Sequence, residues 1–191
     1  GIASDLPEVP GFVQHAAAAK PLGAYAEAWE AFVATAPPEP RLTIIGAGVG
    51  GVELALASAY RLRKQGTSPQ ITLLERGPTP LGALAPASAK TLLAALSDQG
   101  ITLRCNTTVT AVRARDLTLS DGSTLASDFT LSVAGARPQA WLAETGLDLT
   151  DGFVTVGPTM QSSDPAIFAV GDCAHMGFAP RPHRWKPQSQ S

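Results

Sequence analysis

Apolar positions in this chain fall into short runs whose spacing changes along its length. From Leu22 the side chains Tyr25, Trp29, Phe32 and Val33 recur at helical spacing, and Pro37-Pro-Glu-Pro40 stops the run because proline cannot continue a helix. Solidly apolar strands then alternate with amphipathic helices: strand at 41–45, helix at 50–65, strand at 70–75, helix at 87–99 and strand at 101–105. Gly66 and Gly100 stand where helix C-caps belong. Such alternation predicts a parallel sheet with right-handed crossovers. After Asn106 the period shortens to two, over 108–114, 116–120 and 124–133, with Asp121-Gly122 as a hairpin signal; this predicts a β-meander. The apolar run 129–134 enters Gly135-Ala-Arg-Pro138, which ends a strand and starts a loop, and a short helix follows around 141–145. Residues 1–21 are rich in Pro, Gly and Ala, carry no strong period and read as a connector.

Composition narrows the picture. In 191 residues, 45% are hydrophobic and 16% charged, which excludes wholesale disorder, and no apolar run approaches the roughly 18–20 residues needed to span a bilayer. A net charge of −2 with dispersed Lys and Arg offers no attraction to nucleic acid. Cys105 and Cys173 form neither a C-x-x-C pair nor a metal cluster, which fits a reducing cytoplasm and predicts no disulfide. The opening Gly1-Ile-Ala-Ser-Asp-Leu-Pro lacks the basic start and apolar core of a signal peptide, and without an initiator Met the chain reads as a piece of a longer one.

The chemistry concentrates at Gly46-Ala-Gly-Val-Gly-Gly-Val-Glu-Leu-Ala55, where the first apolar strand turns directly into a helix. Gly46 permits the tight turn, Gly48 lets backbone approach phosphate oxygens, and Gly51 allows close packing of helix on strand; the helix start offers free N–H groups to an anion. The second strand ends in Glu75, at the spacing of an acid that accepts hydrogen bonds from an adenosine ribose. The unit predicts a Rossmann-like dinucleotide site, with a methyltransferase-like glycine turn as the competing reading.

A second motif, Ser163-Asp-Pro-Ala-Ile-Phe-Ala-Val-Gly-Asp-Cys-Ala174, reads as a buried strand that delivers Gly171 and Asp172 to a turn. With it the chain resembles the pyridine nucleotide-disulfide oxidoreductase superfamily, and more narrowly its type II NADH dehydrogenase-like branch. Four pieces carry the resemblance in order: Gly46 to Ala55, including Glu53 and Ala55; Leu73-Leu-Glu75; Val133-Ala-Gly-Ala-Arg-Pro138; and 167–172. A methyltransferase has no reason to carry the last of these.

The resemblance implies an FAD domain split around an inserted NAD domain. Residues 1–38 would be connector and helix from the split FAD domain, 39–157 the NAD(P)-binding Rossmann domain with its meander, and 158–191 the start of the returning FAD segment. It implies that Gly46, Gly48, Gly50 and Gly51 hold the NAD pyrophosphate, Glu75 the ribose, Glu53 the nicotinamide end, Gly135 the junction with the flavin, and Asp172 the FAD ribityl chain. Hydride would pass from NADH to flavin and on to an unknown acceptor, and an acid at Glu75 disfavours the 2′-phosphate of NADPH although Arg76 is adjacent. Partners implied are NADH and the remaining FAD-domain segments; a homodimer and peripheral attachment of the parent protein to the inner membrane are also within the family's range. The polar tail 181–191, with two prolines, departs from the helix that usually follows the Gly-Asp turn. The alternative is a stand-alone NAD-binding or interaction module without turnover.

Several residues carry plainer readings. Glu53 suits the start of a helix for its charge alone, and Asp172 suits a helix cap. His15, His175 and His183 have no partners at metal or triad spacing, Cys173 has no resolving cysteine nearby, and Trp29 and Trp141 read as core or domain-contact residues.

Overall fold

The computed structural model describes residues 8–133, 135 and 137–179. The chain divides into two compact units, residues 6–134 and 135–191, the latter joined by residues 1–5.

In the first unit a five-stranded, wholly parallel sheet has the order β1-β8-β2-β3-β4, built from β1 (Ala17–Ala18), β2 (Arg41–Ile45), β3 (Gln70–Leu74), β4 (Thr102–Arg104) and β8 (Phe129–Ser132). Three helices pack against it: α2 (Leu22–Ala34), α3 (Val49–Lys64) and α4 (Pro86–Asp98). Strand alternation explains the layers. Leu42 and Ile44 face the core shared with α3, whose buried stripe of Val52, Ala55, Ala59 and Leu62 repeats at helical spacing. The small residues of that stripe bring helix and sheet close together, and each buried Leu or Ile contributes roughly 1.5–3 kcal/mol of burial. Ile45 and Leu74, paired side by side, face the opposite way and join a second core with Val109, Val112, Leu117 and Leu119. Those four come from the antiparallel meander of β5 (Val109–Val112), β6 (Asp116–Leu119) and β7 (Thr124–Ala126). The parallel sheet and the meander are those the sequence predicts, and the structure sandwiches the sheet between the helices and the meander.

Helix ends follow the sequence signals closely. Gly66 (φ 84°) and Gly100 (φ 58°) take left-handed backbone one residue beyond the C-caps of α3 and α4. In both, the next N–H reaches back a full turn, Thr67 to Leu62 O at 3.3 Å and Ile101 to Leu96 O at 2.9 Å. Pro86 opens α4 without cost because the first helical N–H has no intrahelical acceptor.

Three expectations are corrected. Residues 1–21 are more than a connector: α1 (Phe12–His15) buries Phe12 in the meander core, and β1 pairs in parallel with β8. Two alanines carry no strand propensity, so β1 forms only because the edge of β8 offers backbone partners. The run 124–133 is two strands. Ser127 and Asp128 break it, with Ser127 Oγ bonded to Phe129 O and Thr130 Oγ1, and Asp128 Oδ2 accepting from Arg41 N at 2.9 Å and Nε at 3.0 Å. The second half, β8, leaves the meander and returns to the parallel sheet beside β2.

The third correction lies in the second unit. There β9 (Leu149–Thr150) and β10 (Phe153–Thr155) form a hairpin around Asp151 (φ 51°) and Gly152 (φ 79°), the two left-handed residues of a tight turn, and β11 (Ala174–His175) pairs in parallel with β10. Leu142, Val154, Val156, Ala169 and Ala174 make its core. Residues 167–170 do not form a buried strand: Phe168 is 59% and Val170 67% exposed, and the stretch makes one isolated bridge, Gln161 with Phe168. An apolar run becomes a strand only where a neighbouring strand and a covering layer receive it, and among the described residues only Ala169 is buried there. Trp141, on the short 3-10 helix Ala140–Glu144, is 58% exposed, whereas Trp29 packs against the rings of Tyr25, Phe32 and Phe129 at centroid distances of 6.5, 5.9 and 5.7 Å.

Candidate nucleotide site

The C-terminal end of β2 lies at the point where chain order in the sheet reverses, with β8 on one side of β2 and β3 on the other. Ligands of open α/β sheets lie outside such ends. The glycine loop sits there. Gly46 has φ 106°, closed to residues with a Cβ, and its N–H continues the sheet by donating to Leu74 O at 2.8 Å. Gly51 faces it from α3: a Cβ added there would lie 1.8 Å from Gly46 O, so any side chain would force strand and helix apart. Gly48 is different, since a Cβ there would meet nothing within 4 Å. Its open space is what close approach of a pyrophosphate requires.

Gly48 is also the N-cap of α3, and it provides no side chain to satisfy the helix start. The first intrahelical bond runs from Val52 N–H to Gly48 O at 3.1 Å, which leaves the N–H groups of Val49, Gly50 and Gly51 without an intrahelical acceptor. Together with the positive end of the helix dipole, they form an anion-binding end. A Cβ at Gly50 would touch Val133 Cγ1 at 3.4 Å. The residues present therefore fit a pyrophosphate.

Glu75 follows β3 and is half-buried. Its Oε2 accepts from Ala47 N–H at 3.1 Å and its Oε1 from Gly77 N–H at 2.9 Å. Each carboxylate oxygen has a second lone pair, so the acid retains acceptor capacity for ribose hydroxyls. Ala47 is held from its other side as well, because Leu81 N–H donates to Ala47 O at 2.9 Å. Leu81 is 1% exposed and takes φ 54°, an uncommon conformation for a large side chain. Burial first, and then the negative charge of Glu75, push the Cys105 thiol above its usual range, so this cysteine is held as a neutral thiol.

The structure brings Gly46, Gly48, Gly50, Gly51 and Glu75 to one place. Glu53 lies on α3 one turn beyond the glycine loop, with its side chain on the exposed face. Gly135 (φ 76°) and Asp172, both exposed, belong to the second unit, where Asp172 stands on the short 3-10 turn Gly171–Cys173. Sequence reasoning missed Ala47 and Leu81. Ala47 acts through its backbone, which leaves no trace in residue type, and a leucine with positive φ contradicts propensity. His183 and the tail 181–191 lie outside the described residues. Both cysteines are free thiols, and among the described residues no group of three His, Cys, Asp or Glu could hold a metal ion and no helix is long and apolar enough to cross a membrane.

Known proteins resemble this chain in sequence and in fold. Over 140 residues the chain is 37% identical to a nitric oxide reductase FlRd-NAD(+) reductase of Aeromonas hydrophila, covering 70% of this chain and 34% of that protein. It is also 30% identical, over 140 residues, to a rubredoxin-NAD(+) reductase of Pseudomonas putida, again covering 70% and 34%. The chain thus spans about a third of the length of the curated relatives it matches. Among solved structures, a ferredoxin reductase for the CYP199A2 system of Rhodopseudomonas palustris superposes with TM-score 0.76 at 23% identity, covering 92% of this chain and 43% of that one, which shows the fold. The family model described as pyridine nucleotide-disulphide oxidoreductase matches residues 1–190, and the chain therefore belongs to the pyridine nucleotide-disulphide oxidoreductase family.

Proposed function

We propose that this chain is the NAD(H)-binding portion of an FAD-dependent oxidoreductase that takes hydride from NADH and passes electrons to an acceptor, which we read as a small electron-carrier protein. In this reading 39–157 form the NAD domain, and 1–38 and 158–191 derive from a split FAD domain. The observation that carries it is the open start of α3, where three backbone N–H groups without intrahelical acceptors lie beside Gly48, with Glu75 beside the same loop. The relatives named rubredoxin-NAD(+) reductase and FlRd-NAD(+) reductase support the electron-carrier acceptor.

When both cofactors are bound, the nicotinamide supplies a hydride and the flavin accepts it. The chain's residues do the holding. The N–H groups of Val49, Gly50 and Gly51 bind pyrophosphate oxygens, and the α3 dipole adds to their pull. Glu75 accepts from the adenosine ribose hydroxyls, and its negative charge disfavours a 2′-phosphate. Glu53, on the exposed face of α3, is available to the nicotinamide end. For the flavin, Asp172 supplies a carboxylate acceptor for ribityl hydroxyls and Gly135 the backbone of the junction.

Titration of the chain with NADH and NADPH, followed by nicotinamide fluorescence, tests this reading. NADH should bind saturably, with NADPH weaker by about tenfold, a difference of about 1.4 kcal/mol that one like-charge contact at a half-exposed site can supply. Binding of neither nucleotide sinks the assignment. Saturable NADH binding by a protein that never turns NADH over in its full-length form would favour the module without turnover.

A further inference from the structure

Glu75 is engaged before any ligand arrives. Its two carboxylate oxygens take the N–H groups of Ala47 and Gly77 at 3.1 and 2.9 Å. Ala47 is fully buried, between Gly46 and Gly48, and its carbonyl is taken by Leu81 N–H at 2.9 Å. Both ends of the residue at the centre of the glycine loop are therefore held by the chain that follows β3. Removing the carboxylate leaves Ala47 N–H a buried donor without an acceptor, and a short loop relieves that by turning its peptides. The peptides that turn are those that lead into Val49, Gly50 and Gly51.

We infer that Glu75 is a positioning residue for the glycine loop as well as a ribose acceptor, so that its loss weakens binding of a pyrophosphate even when the ligand has no ribose hydroxyl to offer. The inference rests on the dinucleotide reading above. It makes a distinct claim about sign. If Glu75 acted on the ribose alone, its neutralisation would leave a ligand without ribose hydroxyls unaffected, or tighten it, because a negative charge is removed from beside an anion. If Glu75 holds the loop, the same ligand binds more weakly. One consequence is that replacing Glu75 to admit NADPH lowers affinity for both nucleotides unless another acceptor is supplied to Ala47.

The test uses the 191-residue chain. ADP and 2′,3′-dideoxy-ADP are titrated calorimetrically into the unsubstituted protein, Glu75→Gln and Glu75→Ala, with thermal melts alongside. Glu75→Gln keeps shape and one acceptor oxygen, which guards against a folding failure of the alanine variant. Dideoxy-ADP should weaken by about tenfold in Glu75→Ala, the effect of roughly one charge-assisted hydrogen bond, and by less in Glu75→Gln. Amide exchange at Ala47 should speed up in both. Unchanged or tighter dideoxy-ADP binding in the variants, with ADP weakened, overturns the positioning role and leaves the dinucleotide site standing. Failure of the unsubstituted chain to bind either ligand overturns the dinucleotide reading and this inference with it.

Discussion

Two glycines of one motif do different work, and single substitutions separate them. Gly51 supports the fold, since a methyl group there lies 1.8 Å from Gly46 O and cannot be accommodated without moving α3 off the sheet. Gly51→Ala should lose about 1–3 kcal/mol of stability, the usual range for overpacking, read as a lowered midpoint in urea. In the proposed reading Gly48 serves the ligand. A Cβ there meets no protein atom, and its φ of −75° suits any residue, so Gly48→Ala should melt within about 0.5 kcal/mol of the parent while binding NADH roughly tenfold more weakly. Equal losses of stability in the two variants would contradict this division. Leu81 shows the reverse situation: a side chain that belongs to the core, at 1% exposure, tolerates a left-handed backbone because its N–H is needed at Ala47.

Among the elements, β8 depends most on a specific contact. Arg41 and Asp128 join the starts of β2 and β8 through four hydrogen bonds of 2.7–3.0 Å, two of them in the fork geometry of guanidinium on carboxylate. The Arg41 side chain, first of all, holds the Asp128 carboxyl below the usual carboxylate range. A group whose folded value is depressed stabilises the native state above its unfolded value, about 3.9 for Asp, and that contribution disappears as the pH falls through the folded value. Asp128→Asn should therefore lower Tm near neutrality, and the gap to the parent should close below about pH 4. A gap that persists undiminished into acid would mean that the carboxylate's charge is not what the contact depends on. The same contact explains why β8 breaks from the meander: Asp128 is drawn to Arg41 across 87 residues of sequence.

For the molecule as a whole, the informative surface is apolar. In the second unit Ile167, Phe168, Val170 and Phe178 are 42%, 59%, 67% and 48% exposed, more than a small unit ordinarily leaves in water. The chain covers about a third of its relatives, 34% of the Aeromonas protein, and in the proposed reading the remaining FAD-domain segments cover these side chains. The purified 191-residue chain should accordingly be colourless, whereas the longer protein should show a flavin spectrum that NADH bleaches. A firmly yellow 191-residue chain would show that the flavin needs less of the FAD domain than proposed.

Period and punctuation in the sequence were enough for the helices α2, α3 and α4, the strands β2, β3 and β4, the meander hairpin at Asp121-Gly122 and both glycine helix ends. These are local decisions, made by side-chain spacing and by residues that alone tolerate a given backbone. The glycine loop and Glu75 were legible for the same reason: their residue types answer to backbone geometry and to charge. Tertiary structure alone decided the rest. It pairs Ala17 and Ala18 with β8, recruits Phe12 to the meander core, cuts the run 124–133 in two, leaves 167–170 with one isolated bridge in place of a strand, and ties Ala47 to Glu75 and Leu81. Each of these is a backbone hydrogen bond or buried contact between distant residues, and its energy depends on which partner is present, a quantity that no local pattern of apolar and polar positions encodes.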